Sequence, residues 1–572
     1  MFASLPKTAQ AFIEWTWGEI EPYYLDLEAR PLDADSVAAW LADWTLLQQL
    51  MSESGARLHV ATTVNTSDQE AVTRYQNFLV HIAEPAAPHE QKLREKLLAS
   101  GLSLSGFEIP LRNMQTDAAI FSQANIPLST REEELKLQYN SIIGAQTVHW
   151  DGEERTLTQL KPVLQHDDRD LRETVWRAIA DRRLEDREAL NQLWQQLLPL
   201  RLQMAKNAGF DDYRSYRWKQ FWRFDYTPDD CLTFHEAIEQ VVVPAATRAY
   251  ERQRQLLGAN TLRPWDLDRD DVYPPTRPAL KPFQTIDELV SKAETIFQRV
   301  DPELGEYFSI MRREGLLDLD NRKGKAPGGY QMSLALSKRP FIFMNAVGIQ
   351  DDVQTLLHEG GHAFHWFEAS RLPYSQQWEY TAEIAEVASM SMELLASPYL
   401  TQKEGGYYSE EEAAHARIHH LEHILYFWPF MAVVDAFQHW VYTHPEAALE
   451  LSECDAKWGE LWARFIPGVD WSGLEDARVT GWQRKLHIFR YPFYYVDYGL
   501  AQVGALQVWR NALSDQAGAV RSYRSALALG GTRPLPDLFA AAGAKFAFDA
   551  PTMRGLVDLI ETTINQLKQQ LS

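Results

Sequence analysis

The stretch from His358 to His362, which reads His-Glu-Gly-Gly-His, constrains this chain more than any other. Residues four positions apart lie on one face of an α-helix, so the two imidazoles can meet at one metal ion only if the stretch is helical. Glu359 follows the first histidine, where its carboxylate can reach a metal-bound water without taking a coordination position. The stretch therefore predicts a helix with two nitrogen ligands for zinc and a general base beside them.

The flanking residues indicate a buried helix rather than a surface helix that carries two histidines by chance. Asp351 is predicted to cap the helix, with Gln354 three residues later at the spacing of a capping box. The other positions are largely apolar, as at Val353, Leu356, Leu357 and Phe364. Gly360 and Gly361 each cost a helix about 1 kcal/mol relative to Ala, which predicts that another part of the protein approaches the backbone closely there.

A catalytic zinc ion usually has three protein ligands and leaves the fourth position for water. The next predicted helix, Trp378 to Glu393, contains glutamates at Glu379, Glu386 and Glu393, seven residues apart. Buried carboxylates without a nearby Lys or Arg need a cation or a hydrogen-bonded histidine. One of the three is therefore expected on the metal and another on a ligand imidazole. Glu383 remains an alternative ligand, because spacing does not exclude it.

With these residues the chain resembles the thimet oligopeptidase and oligoendopeptidase F family of zinc peptidases. The resemblance is carried by the HExxH stretch and by Glu-Val-Ala-Ser-Met-Ser-Met-Glu, which begins 24 residues after His362. It extends from about Gly209 to Phe548 and is closest between Phe341 and Glu393. The resemblance implies that one zinc ion per chain has three ligands, which are His358, His362 and Glu386. It also implies that Glu393 supports a ligand from outside the coordination sphere.

The family has a histidine and several tyrosines after the metal helix, and this chain has such a segment at His487–Ala501. The resemblance implies that His487, with Tyr495 or Tyr498, donates hydrogen bonds to the scissile carbonyl oxygen. Hydrolysis needs such donors because one zinc ion only partly stabilises the tetrahedral oxyanion. Tyr495 and Tyr498 can share one helical face, whereas Tyr494 points to another side. Without the resemblance, a Tyr-rich helix would most often be core packing.

A chain of 572 residues is too long for one core, so two lobes are expected, a helical N-terminal lobe at 1–205 and a catalytic region at 206–572. The resemblance implies a mainly α-helical, two-lobed clamshell around a deep cleft, with a small β-sheet beside the metal helix. An Asp-Gly turn at 151–152 predicts a hairpin. Phe341–Asn345 predicts a strand, either with a free edge for an extended peptide or as an ordinary sheet strand.

A second group of histidines lies on one predicted helix at His415, His419, His420 and His423. Three of them share one face, which is compatible with a second metal ion. A metal site needs a complete ligand set, and only one carboxylate lies near that face. The four histidines are therefore interpreted as structural. His365 is interpreted as lining the site, since a fourth protein ligand would close it.

The formal net charge of −23 argues against a nucleic-acid partner, which would favour a basic surface. Cys231 and Cys454 are too few for a disulfide framework and too far apart in sequence to suggest a thiolate zinc site. The start of the sequence lacks the pattern of a signal peptide, and the longest apolar run is too short to span a membrane. A cytoplasmic protein without membrane association is expected.

Together these features predict a zinc-dependent endopeptidase that hydrolyses internal bonds of short oligopeptides, with Glu359 as the general base. The resemblance implies a narrow cleft that excludes folded proteins. Two alternatives remain open: a zinc exopeptidase, or a non-catalytic peptide-binding protein. The first would need a fixed charge for the peptide terminus, which no sequence feature identifies. The second would have no reason to keep Glu359 and the full ligand set.

Overall fold

The helical periodicity of the sequence corresponds to helices along nearly the whole chain. A computed structural model describes residues 2–102, 104–267 and 279–571. In these ranges the α-helices, numbered α1 to α26 in chain order, are Ala9–Phe12, Trp17–Ala29, Val37–Val64, Gln69–Phe78, Glu84–Ser100, Glu108–Ile120, Ile126–Gly144, Lys161–Leu164, Arg169–Glu185, Arg187–Asn207, Tyr213–Gln220, Pro228–Ala237, Val243–Leu256, Ile286–Val300, Pro302–Arg313, Gln350–Ala369, Ala382–Ala396, Glu410–Thr443, Pro445–Leu449, Leu451–Phe465, Glu475–Val479, Leu486–Arg490, Tyr495–Ala512, Gln516–Leu527, Leu535–Ala541 and Ala550–Leu571. The strands β1 to β5 are Thr147–Trp150, Glu153–Thr156, Leu317–Asp320, Tyr330–Leu334 and Arg339–Ala346. The mainly α-helical prediction is confirmed.

The predicted hairpin is also confirmed. Strands β1 and β2 pair in antiparallel register from Thr147 opposite Thr156 to Trp150 opposite Glu153. The two turn residues between them have positive φ angles, 52° at Asp151 and 79° at Gly152. Positive φ at both central positions is the requirement of a type I′ turn, which Asp-Gly meets at little steric cost.

The second sheet has the strand order β3-β5-β4, with β5 parallel to β3 and antiparallel to β4. The strand predicted at Phe341–Asn345 is therefore confirmed and extends to Arg339–Ala346. The alternative in which this strand has a free edge is wrong, because hydrogen bonds to β3 and β4 occupy both of its edges. The outer strand on the antiparallel side is β4, Tyr330–Leu334.

Buried apolar side chains form one large core and a separate N-terminal core. The N-terminal core contains residues from Phe2 to Met114, in helices α1 to α6. The large core begins at Ile120 and includes residues as far as Leu567. The division between these two cores falls between residues 114 and 120. It does not test the domain boundary expected at residue 205, which stays a prediction.

The metal helix α16 follows β5 directly and packs against that strand and against α17. Helix α17 packs in turn against α23, so sheet, α16, α17 and α23 form successive layers. A cavity of about 1030 Å³ lies between N-terminal helices and these layers. Its walls include Tyr75 of α4, Glu133 of α7, Arg217 of α11, Ser333 of β4 and Trp366 of α16. Trp366 is one helical turn beyond His362.

Candidate metal centre

The start of α16 is fixed by a carboxylate, although not by the predicted one. The Asp352 carboxylate accepts hydrogen bonds from the backbone N–H groups of Val347, Gly348 and Ile349, at 2.8, 2.7 and 3.0 Å. The prediction that Asp351 caps the helix is wrong, because its side chain is exposed and pairs with Lys161 at 3.1 Å. The helix begins two residues earlier than expected, with Ile349 as its N-cap, which brings Asp352 to the position from which a side chain reaches back to the first amides.

The two glycines of α16 lie where neighbouring structure leaves no room for a side chain. A Cβ atom at Gly361 would lie 2.5 Å from Ser389 Cα and 2.6 Å from the Ala388 carbonyl oxygen, both in the backbone of α17. A Cβ atom at Gly360 would lie 2.6 Å from the ring of Phe297. The predicted close approach is confirmed, and at Gly361 the approaching element is α17.

This close packing brings a carboxylate of α17 to both imidazoles of α16. Glu386 Oε2 lies 3.2 Å from His358 Nε2 and 3.4 Å from His362 Nε2. One donor atom from each of the three residues lies within 4.8 Å of the other two. Two imidazole nitrogens and one carboxylate oxygen that converge on one point are the donor set of a catalytic zinc site. The residues present therefore fit a zinc ion.

Electrostatic coupling within this group is strong. Burial by itself lowers the pKa of His358, but hydrogen bonds to Glu386 and Glu393 outweigh it and hold that pKa well above its usual range. Burial by itself raises the pKa of Glu386, but the charge of His362 and the hydrogen bond from His358 hold it below the usual range. The carboxylate is thus ionised beside the two imidazoles, which is the form that binds a cation.

Three further side chains hold the ligands in place. Glu393 Oε1 lies 2.7 Å from His358 Nδ1, the imidazole nitrogen that faces away from Glu386. Glu393 Oε2 lies 2.8 Å from His420 Nε2, which extends this chain of contacts to α18. The Tyr494 hydroxyl donates to Glu386 Oε1 at 2.7 Å. Such partners fix the orientation and protonation of the residues that would bind the metal.

The sequence analysis missed two of these supporting residues. His420 was grouped with the other histidines of α18 as structural, and Tyr494 was judged to point away from Tyr495 and Tyr498. No local pattern identifies His420, because its partner Glu393 lies 27 residues earlier on another helix. Tyr494 lies just before α23, where helical face assignments do not apply. In the structure, Phe493 directly before it has a positive φ angle of 65°, which accompanies the change in the direction of the Tyr494 side chain.

The other glutamates of the predicted helix have different surroundings. Helix α17 begins at Ala382, so Glu379 lies outside it and the expected repeat of three is reduced to Glu386 and Glu393. The alternative ligand Glu383 accepts a hydrogen bond from the Tyr226 hydroxyl at 2.6 Å and lies 3.5 Å from Arg223 Nε. It belongs to no group of three candidate donor atoms among the described residues.

Glu359 lies beside the group, and its carboxylate is buried near the charges of His358, His362 and Glu386. The residue is 5% exposed, and Oε2 has no hydrogen-bond partner in the part of the chain that the structure describes. Its Oε1 lies close to Gly329 at the start of β4, where an added Cβ atom would come within 3.3 Å of it. Burial raises the pKa of Glu359. A carboxylate with a raised pKa and a free oxygen is suited to accept and return a proton.

The predicted His and Tyr donors are brought together only in part. His487 Nε2 lies 3.2 Å from the Tyr498 hydroxyl. Burial and then the nearby charge of Lys485 hold the pKa of His487 well below its usual range, so its imidazole is neutral. The ring of Tyr498 lies 5.4 Å from that of Tyr494, whose hydroxyl contacts Glu386. Burial and then the charge of Glu386 raise the pKa of Tyr498 well above its usual range. The Tyr495 hydroxyl instead accepts a hydrogen bond from Lys485 Nζ at 2.7 Å.

The four histidines in the first half of α18, which are His415, His419, His420 and His423, do not form a group of donor atoms with one another. The rings of His419 and His423 are 6.3 Å apart, and none of the four belongs to a group of three donors within the described residues. His365 is 1% exposed and stacks on the ring of Tyr380 at 3.6 Å. Burial holds the pKa of His365 well below its usual range. His365 is therefore a neutral residue that packs in the interior against Tyr380.

Comparison with known proteins identifies relatives of this chain. A model of peptidase family M3 matches residues 163–557. Oligopeptidase PepF of Bacillus subtilis (strain 168) is 26% identical over 282 residues, which are 47% of this chain and 40% of that protein. The chromosomal oligoendopeptidase F of Lactococcus lactis subsp. cremoris is 22% identical over 340 residues, 57% of this chain and 52% of that protein. The matches thus span about half the length of these relatives.

A solved structure resembles the chain over nearly its whole length. It is PZ peptidase A with an inhibitor, which is 25% identical, has a TM-score of 0.89 and covers 99% of both chains. None of the described helices is both long and apolar enough to cross a membrane.

Proposed function

The chain belongs to peptidase family M3, and on that basis we propose that it is a zinc-dependent endopeptidase that hydrolyses internal bonds of short oligopeptides. One observation supports this proposal above all. Glu386 of α17 meets His358 and His362 of α16 within 3.4 Å, with the unpaired carboxylate of Glu359 beside them. A zinc ligand set next to a candidate general base is an arrangement that can hydrolyse a peptide bond with a metal-activated water.

His358, His362 and Glu386 would hold the zinc ion. When bound, zinc supplies Lewis-acid chemistry, which polarises a carbonyl group and makes water a stronger acid. Glu393 keeps the His358 imidazole oriented by its 2.7 Å contact with Nδ1. Tyr494 holds Glu386 through Oε1, which leaves Oε2 directed at the two imidazoles. These contacts set the ligand positions before substrate arrives.

Glu359 has the role of proton carrier. Its Oε2 accepts a proton from the attacking water and later delivers this proton to the leaving amine, so the carboxylate ends the cycle as it began. Burial favours the protonated form of the side chain and makes that form easier to reach during the reaction. General acid–base catalysis of this kind contributes about 10² to 10⁴-fold to a rate.

Of the two tyrosines proposed as donors to the oxyanion, Tyr498 has the more favourable position. Its hydroxyl contacts His487 and lies in the electrostatic field of Glu386, whereas the Tyr495 hydroxyl is engaged with Lys485. A Tyr498 hydroxyl and a neutral His487 can both donate to an oxyanion without a net charge in the resting site. We therefore assign Tyr498 and His487 as the donors and Tyr495 as a residue that orients Lys485.

The peptide would lie in the cavity between the N-terminal helices and the sheet. Ser333 of β4 and Trp366 of α16 line this cavity, but none of the proposed metal ligands does. The peptide would therefore extend from the cavity along β4, which begins beside Glu359. As an outer strand of its sheet, β4 can pair with an extended peptide through backbone hydrogen bonds, which do not depend on side-chain identity. A cavity enclosed on two sides by helices favours short, flexible peptides over folded proteins.

The test is hydrolysis of a peptide of about ten residues, blocked at both ends, by metal-stripped protein with and without added zinc; that length allows an extended chain of about 33 Å. Cleavage at internal bonds that depends on zinc is the expected result. Cleavage only after one end is unblocked would establish an exopeptidase instead. Binding of zinc and peptide without any cleavage would establish a non-catalytic binding protein.

A further inference from the structure

Four metal-binding side chains meet in the interior at a place that the proposed reaction does not use. Helix α12 contributes Cys231 and His235, and helix α18 contributes Asp435 and His439. In each helix the two residues are four positions apart, so they lie on one face. Their exposed fractions are 2, 3, 0 and 4% in the same order. These four residues are called the buried cluster below.

Asp435 is the centre of the buried cluster. Its Oδ2 atom lies 2.9 Å from His235 Nε2 and 3.3 Å from His439 Nε2. The sulfur of Cys231, a carboxylate oxygen of Asp435 and an imidazole nitrogen of His439 all lie within 4.8 Å of one another. A thiol, a carboxylate and an imidazole at such distances make up a donor set that suits Zn²⁺.

Hydrogen bonds within the chain leave the buried cluster incompletely satisfied. Asp435 Oδ1 has no hydrogen-bond partner among the described residues, and the 3.3 Å contact of His439 Nε2 with Asp435 Oδ2 does not have the geometry of a hydrogen bond. The other nitrogen of His439 lies 3.4 Å from Arg214 Nη1, which is at the long limit of a hydrogen bond. Because buried polar atoms nearly always have partners, two such atoms on adjacent side chains point to a ligand between them.

The surroundings of the buried cluster contain more negative than positive charge. Glu383 and Asp497 are 1 and 0% exposed, and each has one carboxylate oxygen without a partner in the described part of the chain. The one guanidinium between them is that of Arg223, 2.6 Å from Asp497 and 3.5 Å from Glu383. The charges of both Asp435 and Asp497 act on Cys231. Arg214, 3.4 Å from His439 Nδ1, supplies a second guanidinium group. The three carboxyl groups thus outnumber the guanidinium groups by one, and a doubly charged cation bound with one thiolate would offset this difference.

We propose that Cys231, Asp435 and His439 bind a second Zn²⁺ ion with a structural role, while His235 orients the Asp435 carboxylate. On binding, Cys231 releases its thiol proton, so two negative ligands face the doubly charged ion. With zinc on Nε2, the remaining imidazole proton of His439 is on Nδ1, and the long contact with Arg214 is given up. Because all three ligands are buried, substrate cannot reach the fourth position of the ion, and the ion joins α12 to α18.

Replacement of zinc by Co²⁺ tests this proposal, because a cobalt–thiolate bond gives a near-ultraviolet charge-transfer band. The three ligands of the proposed catalytic site include no sulfur, so the band reports only on the buried cluster. We expect the band in the wild type, and its loss in Cys231→Ser. Cys454→Ser is the matched control, because Cys454 is also buried but donates to the Ala448 carbonyl oxygen and lies in no group of candidate donors. The control should keep the band.

Zinc content gives a second, independent measurement. The wild type should contain two zinc ions per chain, and the variant with both His358→Ala and His362→Ala should keep one. Addition of Cys231→Ser to that variant should remove the last ion. This measurement is independent of turnover, so an inactive protein with two ions would contradict the proposed peptidase function and still support the second site.

Absence of the band in folded wild-type protein, or its persistence in Cys231→Ser, would overturn the proposal. So would a His358→Ala, His362→Ala variant that is folded and holds no zinc. If Cys231→Ser does not fold, the cobalt spectrum of the double histidine variant decides alone, because its one ion must then be bound to sulfur.

Discussion

The ligand group at α16 and α17 and the buried cluster at α12 and α18 both combine imidazole and carboxylate donors, and only the second adds a thiol. In the first, the side chains of His358 and His362 are 18 and 15% exposed, and an unpaired carboxylate lies beside them. In the second, no side chain of the four is more than 5% exposed. On our proposals, access and a neighbouring proton carrier are what separate a site suited to chemistry from one suited to stability.

The largest expected effect tests whether Glu359 is the proton carrier at the ligand group of α16 and α17, which is the more accessible of the two and is called the exposed site below. Glu359→Gln should lower kcat by about 10³-fold, because the amide cannot accept the proton of the attacking water. Zinc content should remain that of the wild type, since the side chain is not a proposed ligand. Steady-state hydrolysis of a blocked peptide, with metal analysis of the same sample, measures both quantities.

The control for this variant is Asp351→Asn, which removes an exposed carboxylate from the same helix and should leave kcat close to that of the wild type. Turnover by Glu359→Gln at a rate comparable to the wild type would exclude Glu359 as the base. The two sites would then differ only in their exposure to solvent.

The next effect distinguishes the two tyrosines of α23. Tyr498→Phe should lower kcat by about 10²-fold with little change in KM, because one hydrogen bond to the oxyanion is lost. Tyr495→Phe should have only a small effect on kcat, since its hydroxyl accepts from Lys485. Peptide hydrolysis by the two variants, measured in parallel, is the test. The reverse order of effects would assign the oxyanion contact to Tyr495.

A smaller effect concerns the support of the ligands. Glu393→Gln should weaken zinc binding at the exposed site about 10- to 100-fold, because His358 loses the negative partner of its Nδ1 atom. Glu379→Gln is the matched control, since Glu379 lies outside α17 and contacts neither imidazole. Zinc affinity measured by competition with a chelator provides the test. Equal affinities in the two variants would show that Glu393 does not tune the metal.

The smallest expected effect is a difference in the rate of metal loss. A mild chelator should remove the ion from the exposed site first, with loss of activity, while the second ion stays bound to the buried cluster. The expected course is one zinc ion lost per chain in the early phase and the second lost only on unfolding. Simultaneous release of both ions would contradict the difference in access on which the comparison rests.

The sequence predicted the parts of the site that lie within single helices. The spacing of His358 and His362, the position of Glu359 and the close approach at Gly360 and Gly361 all follow from periodicity and helix energetics. The choice of Glu386 over Glu383 needed the family resemblance, since both lie on the same helix and only the packing of α16 on α17 separates them. Contacts between distant helices, such as those of His420 and Tyr494, have no local signature.

The fold was predictable to a similar extent and for the same reason. Helices and the Asp-Gly hairpin are local features, and they were identified from periodicity and turn chemistry. The central position of β5 was not, because it depends on β3 and β4, which the sequence analysis did not identify. The buried cluster was missed because Cys231 and Asp435 are about 200 residues apart, and their meeting depends on how α12 packs on α18.

The contact between Gly361 and the backbone of α17 also determines how an ion would be taken up. Since the two helices already touch there, the three donor atoms are close together before any metal arrives. Ion binding then requires no folding of a chain segment, unlike in a zinc finger, and little surface changes its hydration. Calorimetry of zinc binding should accordingly show a small heat-capacity change, and far-ultraviolet circular dichroism of the metal-free protein should retain the helical signal.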